Sequence, residues 1–233
     1  GSLVQTLHMD ITNSIYDGRG DAGIQYIATY QIDGANKTLV NYQKFTNRTY
    51  DSSHQVLNQM VLTYADPEGK VTAYTDPSKG QLLDCKEIRS SGFTPSGVAS
   101  MQAVVTYKDD TESSIIDVKV INNSNISGGG NVGTSVITTY LSAGISPDLV
   151  TITPLGNVVS VQTITSNLAA DFDKFGNAIN QTVSSQYYDP VSKTLLFSSY
   201  QVITSNTYDI HNRLLTSTVD NYDQDNKFTS REL

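Results

Sequence analysis

The sequence predicts an all-β protein, an antiparallel meander of long β-hairpins that forms a large curved sheet. Three observations support this prediction. Runs rich in Thr, Val, Ile and Tyr alternate apolar and polar residues, which is typical of half-buried strands. Short motifs of Asp, Gly, Asn and Pro separate these runs, as turns do. Helical periodicity is not evident over any useful length.

The clearest turn motifs lie between Asp171 and Lys227. Each has an aromatic residue, an Asp, two variable residues and then a small or left-handed-tolerant residue. An Asp that opens a type I turn accepts a hydrogen bond from the backbone two residues on. The fourth residue must take a positive φ, which Gly and Asn tolerate best. The motif therefore predicts hairpin turns at Asp173–Gly176, Asp189–Ser192, Asp209–Asn212 and Asp223–Asn226.

Similar motifs recur along the rest of the chain at intervals of roughly fifteen to twenty residues, which indicates a repeat. In two of them Thr replaces the Asp. The predicted turns are Asp17–Gly20, Asp33–Asn36, Asp51–His54, Asp66–Gly69, Asp76–Gly80, Thr94–Gly97 and Thr153–Gly156.

The runs between these turns predict the strands. Residues 22–30 and 56–64 have the period of a half-buried strand, and residues 116–120 continue it. Residues 193–208 contain no turn motif, so one strand there could reach ~50 Å at about 3.3 Å per residue. Its two faces both mix apolar and polar residues, which favours a sheet with one sparsely covered side. We expect the polar residues 122–133 to form a long loop.

The turn motif resembles the RHS/YD repeat, best in Tyr208-Asp-Ile-His-Asn-Arg-Leu214 and also in residues 171–177 and 64–70. The resemblance implies a segment of a large secreted or cell-surface protein built from β-hairpin repeats. It covers residues 10–84 and 165–228. We interpret residues 1–233 as a single β-repeat domain, with residues 85–164 divergent or inserted, and expect it to belong to a longer array.

Composition points in the same direction. The formal net charge of −8 and the pI near 4.7 argue against a nucleic-acid or anionic-membrane surface, because both need clustered Lys and Arg. Charged residues make up only 16% of the chain, which suits the neutral polar strands of extracellular β proteins. Cys85 is the single cysteine, so the chain has no internal disulfide. We expect an extracellular or cell-surface location in a bacterium.

The sequence offers few candidates for chemistry, and we predict no catalytic and no cofactor-binding residues. Candidate metal ligands are Asp220, Asp223 and Asp225, next to Asn226. Their spacing does not match an EF-hand loop, since Lys227 stands where an acidic ligand would fall. A smaller acidic pair is Asp171 and Asp173. Turns select Asp and Asn strongly, so we interpret both groups as turn carboxylates.

Three other motifs have simpler structural explanations. Residues 128–133 spell G-x-G-x-x-G, but a β-branched run follows where a dinucleotide site needs a helix. Arg19-Gly20-Asp21 is an RGD tripeptide at a predicted hairpin turn. The three histidines, His8, His54 and His211, are scattered and lack the spacing of metal ligands.

The function that these observations favour is a non-enzymatic structural or adhesive segment of a secreted or surface protein. Its expected partners are neighbouring repeats, or other copies that associate through the sheet edges. One alternative is a lipid or glycan carrier that uses the concave face of the sheet. Another is an outer-membrane barrel, although residues 178–185 lack the apolar alternation that a lipid-facing strand needs.

Overall fold

The structure is a computed structural model that describes residues 7–66, 80–209 and 212–233. The described residues form an all-β fold without a helix. They contain thirteen strands: β1 (Leu7–Tyr16), β2 (Ala22–Asp33), β3 (Asn36–Tyr50), β4 (Val56–Ala65), β5 (Gln81–Phe93), β6 (Ala99–Tyr107), β7 (Ile115–Ile126), β8 (Val132–Ile145), β9 (Ile152–Thr165), β10 (Gln181–Asp189), β11 (Thr194–Tyr208), β12 (Leu214–Tyr222) and β13 (Phe228–Glu232).

All thirteen described strands belong to one sheet, in which each strand pairs with the strand before it and the strand after it. The strands are antiparallel to their neighbours, so the chain runs as a meander. Within the described residues the two outermost strands, β1 and β13, do not pair with each other, and the sheet is open. The predicted fold class, an all-β antiparallel meander of hairpins, is confirmed.

Residue contacts divide the chain into two compact units, and the division passes through strands β5 to β9. The first unit comprises Gly1–Arg89, Val104–Asp117 and Ile145–Ile152. The second comprises Ser90–Ala103, Val118–Gly144 and Thr153–Leu233. The single-domain assignment from the sequence stays a prediction.

The first unit has a dense core on one face of its strands. On β4 every second residue from Asn58 to Tyr64 is buried, because alternate residues of a strand face the same side. The rings of Tyr42 and Tyr64 stack with centroids 5.0 Å apart. Such an offset pair stabilises by about 0.5–1.5 kcal/mol beyond the burial of its area.

The second unit has a smaller apolar core, to which Ala99, Ala103, Val118 and Val183 contribute. Strand β11 shows the expected mixture on both faces, and Asn206 is its one buried residue. Neighbouring residues Leu195, Leu196 and Phe197 are all exposed to 36–37%. The long strand at residues 193–208 is therefore confirmed, and burial of its apolar side chains contributes little to stability.

Most of the predicted turns form with a left-handed fourth residue. The N–H of that residue donates to the carbonyl of the first turn residue, as in Gly20 to Asp17 at 3.1 Å. The Asp carboxylate then accepts backbone N–H groups within the turn, as Asp17 does from Arg19 and Asp21. Left-handed φ angles occur at Gly20, His54, Gly97, Gly176, Asn212 and Asn226, as expected.

Two turns place the left-handed residue differently from the prediction. Between β2 and β3 it is Gly34, with φ 58°, and Asn36 already begins the next strand. A glycine at the first central position favours this two-residue connection. Between β10 and β11 it is Lys193 rather than Ser192, because the Lys193 N–H bonds to the Asp189 carbonyl and lengthens the loop by a residue.

Two larger predictions are wrong. Residues Thr153–Gly156 lie inside β9, and the left-handed Gly156 does not reverse the chain there. The turn precedes them at residues 146–151, where Asp148 accepts the N–H groups of Val150 and Thr151. The polar run at 122–133 is strand up to Ile126, followed by a short turn at Ser127–Asn131.

That short turn was not predicted because Ser127 takes the place of Asp. Its hydroxyl accepts the N–H of Asn131, and Gly130 supplies the left-handed residue with φ 92°. The preceding polar side chains are compatible with a strand because most are exposed and need no apolar face. The turns predicted at Asp66–Gly69 and Asp76–Gly80 lie largely outside the described residues.

The first turn allows a clean test of the left-handed position, since it contains two glycines with open space around both. Only Gly20 has a positive φ, 90°. Gly20→Ala should lower the free energy of unfolding by about 1 kcal/mol, because a Cβ opposes that conformation. Gly18→Ala should be neutral or slightly stabilising. Urea denaturation of both variants measures this, and equal effects would contradict the turn assignment.

Candidate functional site

The acidic residues near the C-terminal end are engaged in structural contacts. Asp220 and Arg231 form a two-pronged ion pair between β12 and β13, with N–O distances of 2.6 and 2.7 Å. The guanidinium of Arg231 holds the pKa of Asp220 below its ordinary value. This geometry joins the outermost strand to its neighbour.

Asp223 and Asp225 lie in the turn between β12 and β13. Asp223 Oδ1 accepts the N–H groups of Asp225 and Lys227, at 3.0 and 2.8 Å. The other acidic pair behaves alike, since Asp173 accepts turn N–H groups and Asp171 accepts from Asn167 and Asn180. Across the described ranges, no group of three or more His, Cys, Asp and Glu side chains could hold a metal ion.

We predict that calcium has little effect on this protein. Titration of calcium into chelator-treated protein should leave the melting temperature unchanged, because the Asp220 and Asp223 carboxylates already have protein partners. A rise of several degrees would instead assign calcium to these residues, through the coupling of ligand binding to folding. Magnesium at equal ionic strength is the control for simple screening.

The RGD tripeptide is bound within the first turn. The guanidinium of Arg19 lies 3.0 Å from the carboxylate of Asp21, whose side chain is only 9% exposed. Arg19 also donates to the carbonyl of Asp51 at 2.7 Å. Arg and Asp thus neutralise each other, and the tripeptide has a structural role here.

The remaining sequence candidates are structural as well. Residues 128–133 form a hairpin turn and the start of β8, with no helix after them. His8 pairs with Asp10, and His54 pairs with Asp21 at 2.7 Å. His211 lies outside the described residues. Burial raises the pKa of the Cys85 thiol to about 11, so this cysteine is protonated at neutral pH and inert as a nucleophile.

A buried polar network in the first unit was not predicted from the sequence. Glu87 and Arg89 lie two residues apart on β5, on the same face, and each is 3% exposed. Arg89 donates to Glu87 through Nε at 2.8 Å, and the Tyr107 hydroxyl donates to the other oxygen of Glu87 at 3.0 Å. Burial, and after it the nearby Glu87 charge, raise the pKa of Tyr107.

The same arginine binds the turn between β8 and β9. Its Nη1 donates to the carbonyl of Thr151 and lies 3.2 Å from the Asp148 carboxylate. Every charge in the cluster therefore has a partner, which a buried ion pair requires. The turn covers this part of β5. The buried cluster therefore holds the turn against the strand, and it is not open to a substrate.

A second unpredicted feature joins turns that lie at the same end of the strands. Two tyrosines that precede a turn, Tyr50 and Tyr208, each donate a hydrogen bond from the hydroxyl to a backbone carbonyl at 2.8 Å. The acceptors are Ala22 and Ala178, which directly follow the turns that end at Asp21 and Asn177. We call these contacts the tyrosine latches.

A second side chain binds the same carbonyl in both latches. Asn206 donates to the carbonyl of Ala178 at 3.0 Å, and Arg48 donates to that of Ala22 at 3.4 Å. A related bond links Asn123 to the carbonyl of Ala99, again the first residue after a turn. In three places, therefore, the carbonyl of the first residue after a turn accepts a hydrogen bond from a side chain of the adjacent hairpin.

The turns themselves are also joined. In the first unit, His54 at a left-handed position bonds to Asp21, which closes the neighbouring turn. In the second unit, left-handed Asn212 accepts from Asn177, which closes its neighbour, at 3.0 Å. Since the two pairs occupy equivalent turn positions, the same contact pattern occurs in both units.

A signal for the latches was present in the sequence. Thr46-Asn-Arg-Thr-Tyr-Asp51 and Thr204-Ser-Asn-Thr-Tyr-Asp209 share Thr, Thr, Tyr and Asp at matching positions, beyond the Tyr-Asp pair. The acceptor could not be found in this way, because every residue has a backbone carbonyl and the acceptor position therefore needs no particular residue type.

Two open grooves lie on the second unit. One, of about 360 Å³, is lined mainly by neutral polar side chains, including Ser160, Gln162, Ser185 and Tyr187. The other, of about 450 Å³, is lined mainly by apolar side chains, including Leu141, Leu155 and Pro190. Lys119 and Tyr187 are the ionisable groups among the described residues that line the polar groove.

The turn aspartates predict how stability depends on pH. Backbone N–H groups, first that of Thr151, lower the pKa of Asp148 to about 2, and the N–H of Asp21 lowers the pKa of Asp17 from 3.8. A carboxyl whose pKa is depressed by folding stabilises above its unfolded pKa, and this contribution is lost as pH falls through the folded pKa. Stability should therefore be level above about pH 5 and fall between about pH 4 and 2.

Asp148→Asn is the matched variant for this prediction. The N–H groups of Val150 and Thr151 and the guanidinium of Arg89 contact Oδ1 of Asp148, which Asn retains, whereas Asn cannot be protonated. The decline of the urea midpoint with acid should be shallower in this variant. An identical decline in both proteins would show that Asp148 carries no part of the pH dependence.

Comparison with known proteins adds little. No family model and no curated protein matches the sequence. One similar solved structure is a protein of unknown function from Bacteroides fragilis NCTC 9343. It is 10% identical, with 83% of this chain and 90% of that chain covered and a TM-score of 0.24. Similarity at this level supports no inference about function.

The described part of the chain contains no helix of the length and apolar character needed to cross a membrane.

Proposed function

We propose that this chain is a non-enzymatic structural segment of a secreted or cell-surface β-repeat protein, of the kind that RHS/YD repeats form. Its role is to hold a row of hairpins in fixed register as a scaffold or adhesive surface. The single observation that carries the proposal is the tyrosine latch, which recurs with the same geometry in both units.

The latch supports a scaffold because it joins successive hairpins instead of shaping a cavity. Each repeat in such an array is stabilised mainly by its neighbours. A tyrosine that reaches the next hairpin therefore contributes to the interface between repeats, which is the element that a long array needs most. In these two segments the Tyr-Asp pair has two physical roles: Asp builds the turn, and Tyr binds the hairpin beside it.

Removal of the two hydroxyls tests this role. Tyr50→Phe and Tyr208→Phe should each lower the free energy of unfolding by about 1 kcal/mol or more, since the partner carbonyl loses a hydrogen bond. Tyr26→Phe and Tyr140→Phe are the matched controls, because no hydrogen bond of either hydroxyl is present among the described residues. Urea denaturation measures the four variants, and equal effects in latch and control variants would overturn the proposal.

The proposed location needs its own test. Antibodies raised against the domain should label intact cells of the organism that produces it, and mild protease treatment of those cells should remove the label. Labelling that occurs only after permeabilisation would contradict a surface role. A cytoplasmic marker protein, probed in the same cells, controls for leakage.

A second candidate function is glycan binding, and the polar groove favours it. Neutral hydroxyl and amide groups with an exposed aromatic ring are the groups that bind sugars, and Tyr187 is 47% exposed there. A panel of neutral oligosaccharides should then bind to the native protein and not to Tyr187→Ala. Equal binding to both proteins would remove this candidate.

A further inference from the structure

We propose that a small open cavity beside the first turn binds the acetamido group of an N-acetylated sugar. The cavity has a volume of about 270 Å³ and lies within the first unit. Residues from the end of β1, the first turn and the end of β3 line it, among them Ile15, Asp21, Arg48 and Thr49. The inference goes beyond the scaffold role, because a ligand here is not needed to join the hairpins.

The first argument is a set of buried polar atoms, on residues that line the cavity, with no hydrogen-bond partner among the described residues. Nε of Arg48 and Oγ1 of Thr49 are two of them. Oδ2 of Asp21 is the third, since it forms an ion pair with Arg19 at 3.0 Å but accepts no hydrogen bond. Unpaired buried atoms destabilise a fold, so three of them around one cavity indicate a polar ligand.

The second argument is a comparison with the other latch. Thr207 corresponds to Thr49, and its hydroxyl bonds to that of Thr216, the residue across from it, at 2.6 Å. In the first unit Asn58 lies across from Thr49, and its amide donates to the carbonyl of Asn47 instead. The same strand position therefore has a paired hydroxyl in one unit and an unpaired hydroxyl beside the cavity.

The third argument is a strained residue in the lining. Ile15 has a φ of 56°, a left-handed conformation that is an outlier for a β-branched residue. Two residues before the turn at Ser127–Asn131, the corresponding left-handed residue is Asn125, and asparagine tolerates this conformation. Ile15 is also 68% exposed, so burial within the protein does not offset its strain. Strain of this kind is concentrated at binding and catalytic sites.

The lining selects the chemistry of the ligand. Its ionised side chains are two aspartates and two arginines, so their charges balance and favour a neutral ligand. Arg48 can only donate a hydrogen bond, the Asp21 carboxylate can only accept one, and Thr49 can do either. The ligand must therefore accept and donate through separate atoms, as the carbonyl and the N–H of an amide do. The methyl group of an acetamide would contact Ile15.

An N-acetylated sugar suits the surroundings of the amide better than an acetylated lysine does. The side chains of Asp17 and Arg19 are 45% and 43% exposed at the cavity and can bind sugar hydroxyl groups. An acetylated lysine would need an apolar channel for its methylene groups, whereas Ile15 is the one aliphatic side chain among the described residues of the lining. The volume also suits a single sugar residue, since drug-sized ligands occupy about 300–1,000 Å³.

Titration of the full-length protein with N-acetylglucosamine, followed by NMR chemical shifts, tests the proposal. The shifts should saturate, and glucose, which lacks the acetamido group, should bind at least about tenfold more weakly, since it loses both amide hydrogen bonds. Thr49→Val should weaken the binding of N-acetylglucosamine about fivefold, the effect expected for one lost hydrogen bond. Thr207→Val changes the corresponding residue of the second unit and should leave the affinity unchanged.

Ile15→Asn tests the strained residue, because it should change stability and binding in opposite directions. The urea midpoint should rise, since asparagine tolerates the left-handed conformation. The affinity for N-acetylglucosamine should fall about fourfold, the effect expected for one methyl group that is no longer covered. Ile11→Asn is the matched control, because Ile11 is an exposed isoleucine of the same strand without a positive φ. It should neither raise the urea midpoint nor change the affinity.

Absence of saturable binding, or equal affinity of the native and Thr49→Val proteins, would overturn the proposal. Tighter binding of Nε-acetyllysine than of N-acetylglucosamine would overturn it as well, because the cavity would then be assigned to acetylated proteins. A circular dichroism spectrum of each variant shows that it is folded before its affinity is compared. Since Thr49→Val keeps the shape of the side chain, its loss of affinity in a folded protein assigns the binding to this cavity.

Discussion

The left-handed residue in each described turn is the constraint on which the rest of this sheet depends. It returns the chain to the adjacent strand in one register, and in a sheet a slip of one residue would exchange the two faces. Residues that tolerate positive φ hold most of these positions, for example Gly20, Gly176 and Asn226. The opening carboxylate then accepts the N–H groups that the turn leaves unpaired. Each hairpin is thus specified by a few neighbouring residues.

The latches depend on the strand as well as on the turn. The register of both strands shifts beside a left-handed residue three positions before the tyrosine, Asn47 or Ser205, and the tyrosine then lies beside the first residue of the adjacent hairpin. The acceptor is a backbone carbonyl, so it is present whatever residue stands there, and only the donor needs a particular side chain. This explains how Tyr50 and Tyr208 make the same bond in two units that otherwise differ in their burial. The turn and the tyrosine alone are not sufficient, since Tyr222 also directly precedes a turn and its hydroxyl makes no hydrogen bond among the described residues. Both latches also have the left-handed residue three positions before the tyrosine.

The features that depend on nearby residues were predictable from the sequence. The fold class, the long strand at residues 193–208 and six left-handed positions follow from turn chemistry within a few residues. The errors arose where a residue of another type accepted the turn hydrogen bond, or where a left-handed residue did not lie in a turn. Ser127 accepts the turn N–H in place of Asp, and Gly156 has a positive φ inside a strand without reversing the chain. Residue type limits the backbone angles, but whether the chain reverses depends on where the hydrogen bonds go.

The hydrogen-bond network of Arg89 could not be predicted from the sequence for a different reason. Its partners Asp148 and Thr151 are separated from Arg89 by 59 and 62 positions, so no local pattern relates them. Alternation gives no help either, since two charges spaced two apart on a strand are more typical of a solvent-exposed face. Here that face is buried, because the turn after β8 lies against it and supplies the oxygen atoms that Arg89 needs. An ion pair of this kind adds little net stability but penalises any arrangement that leaves a charge unpaired. In a sheet specified mainly by local turns, such a contact selects which distant parts of the chain meet.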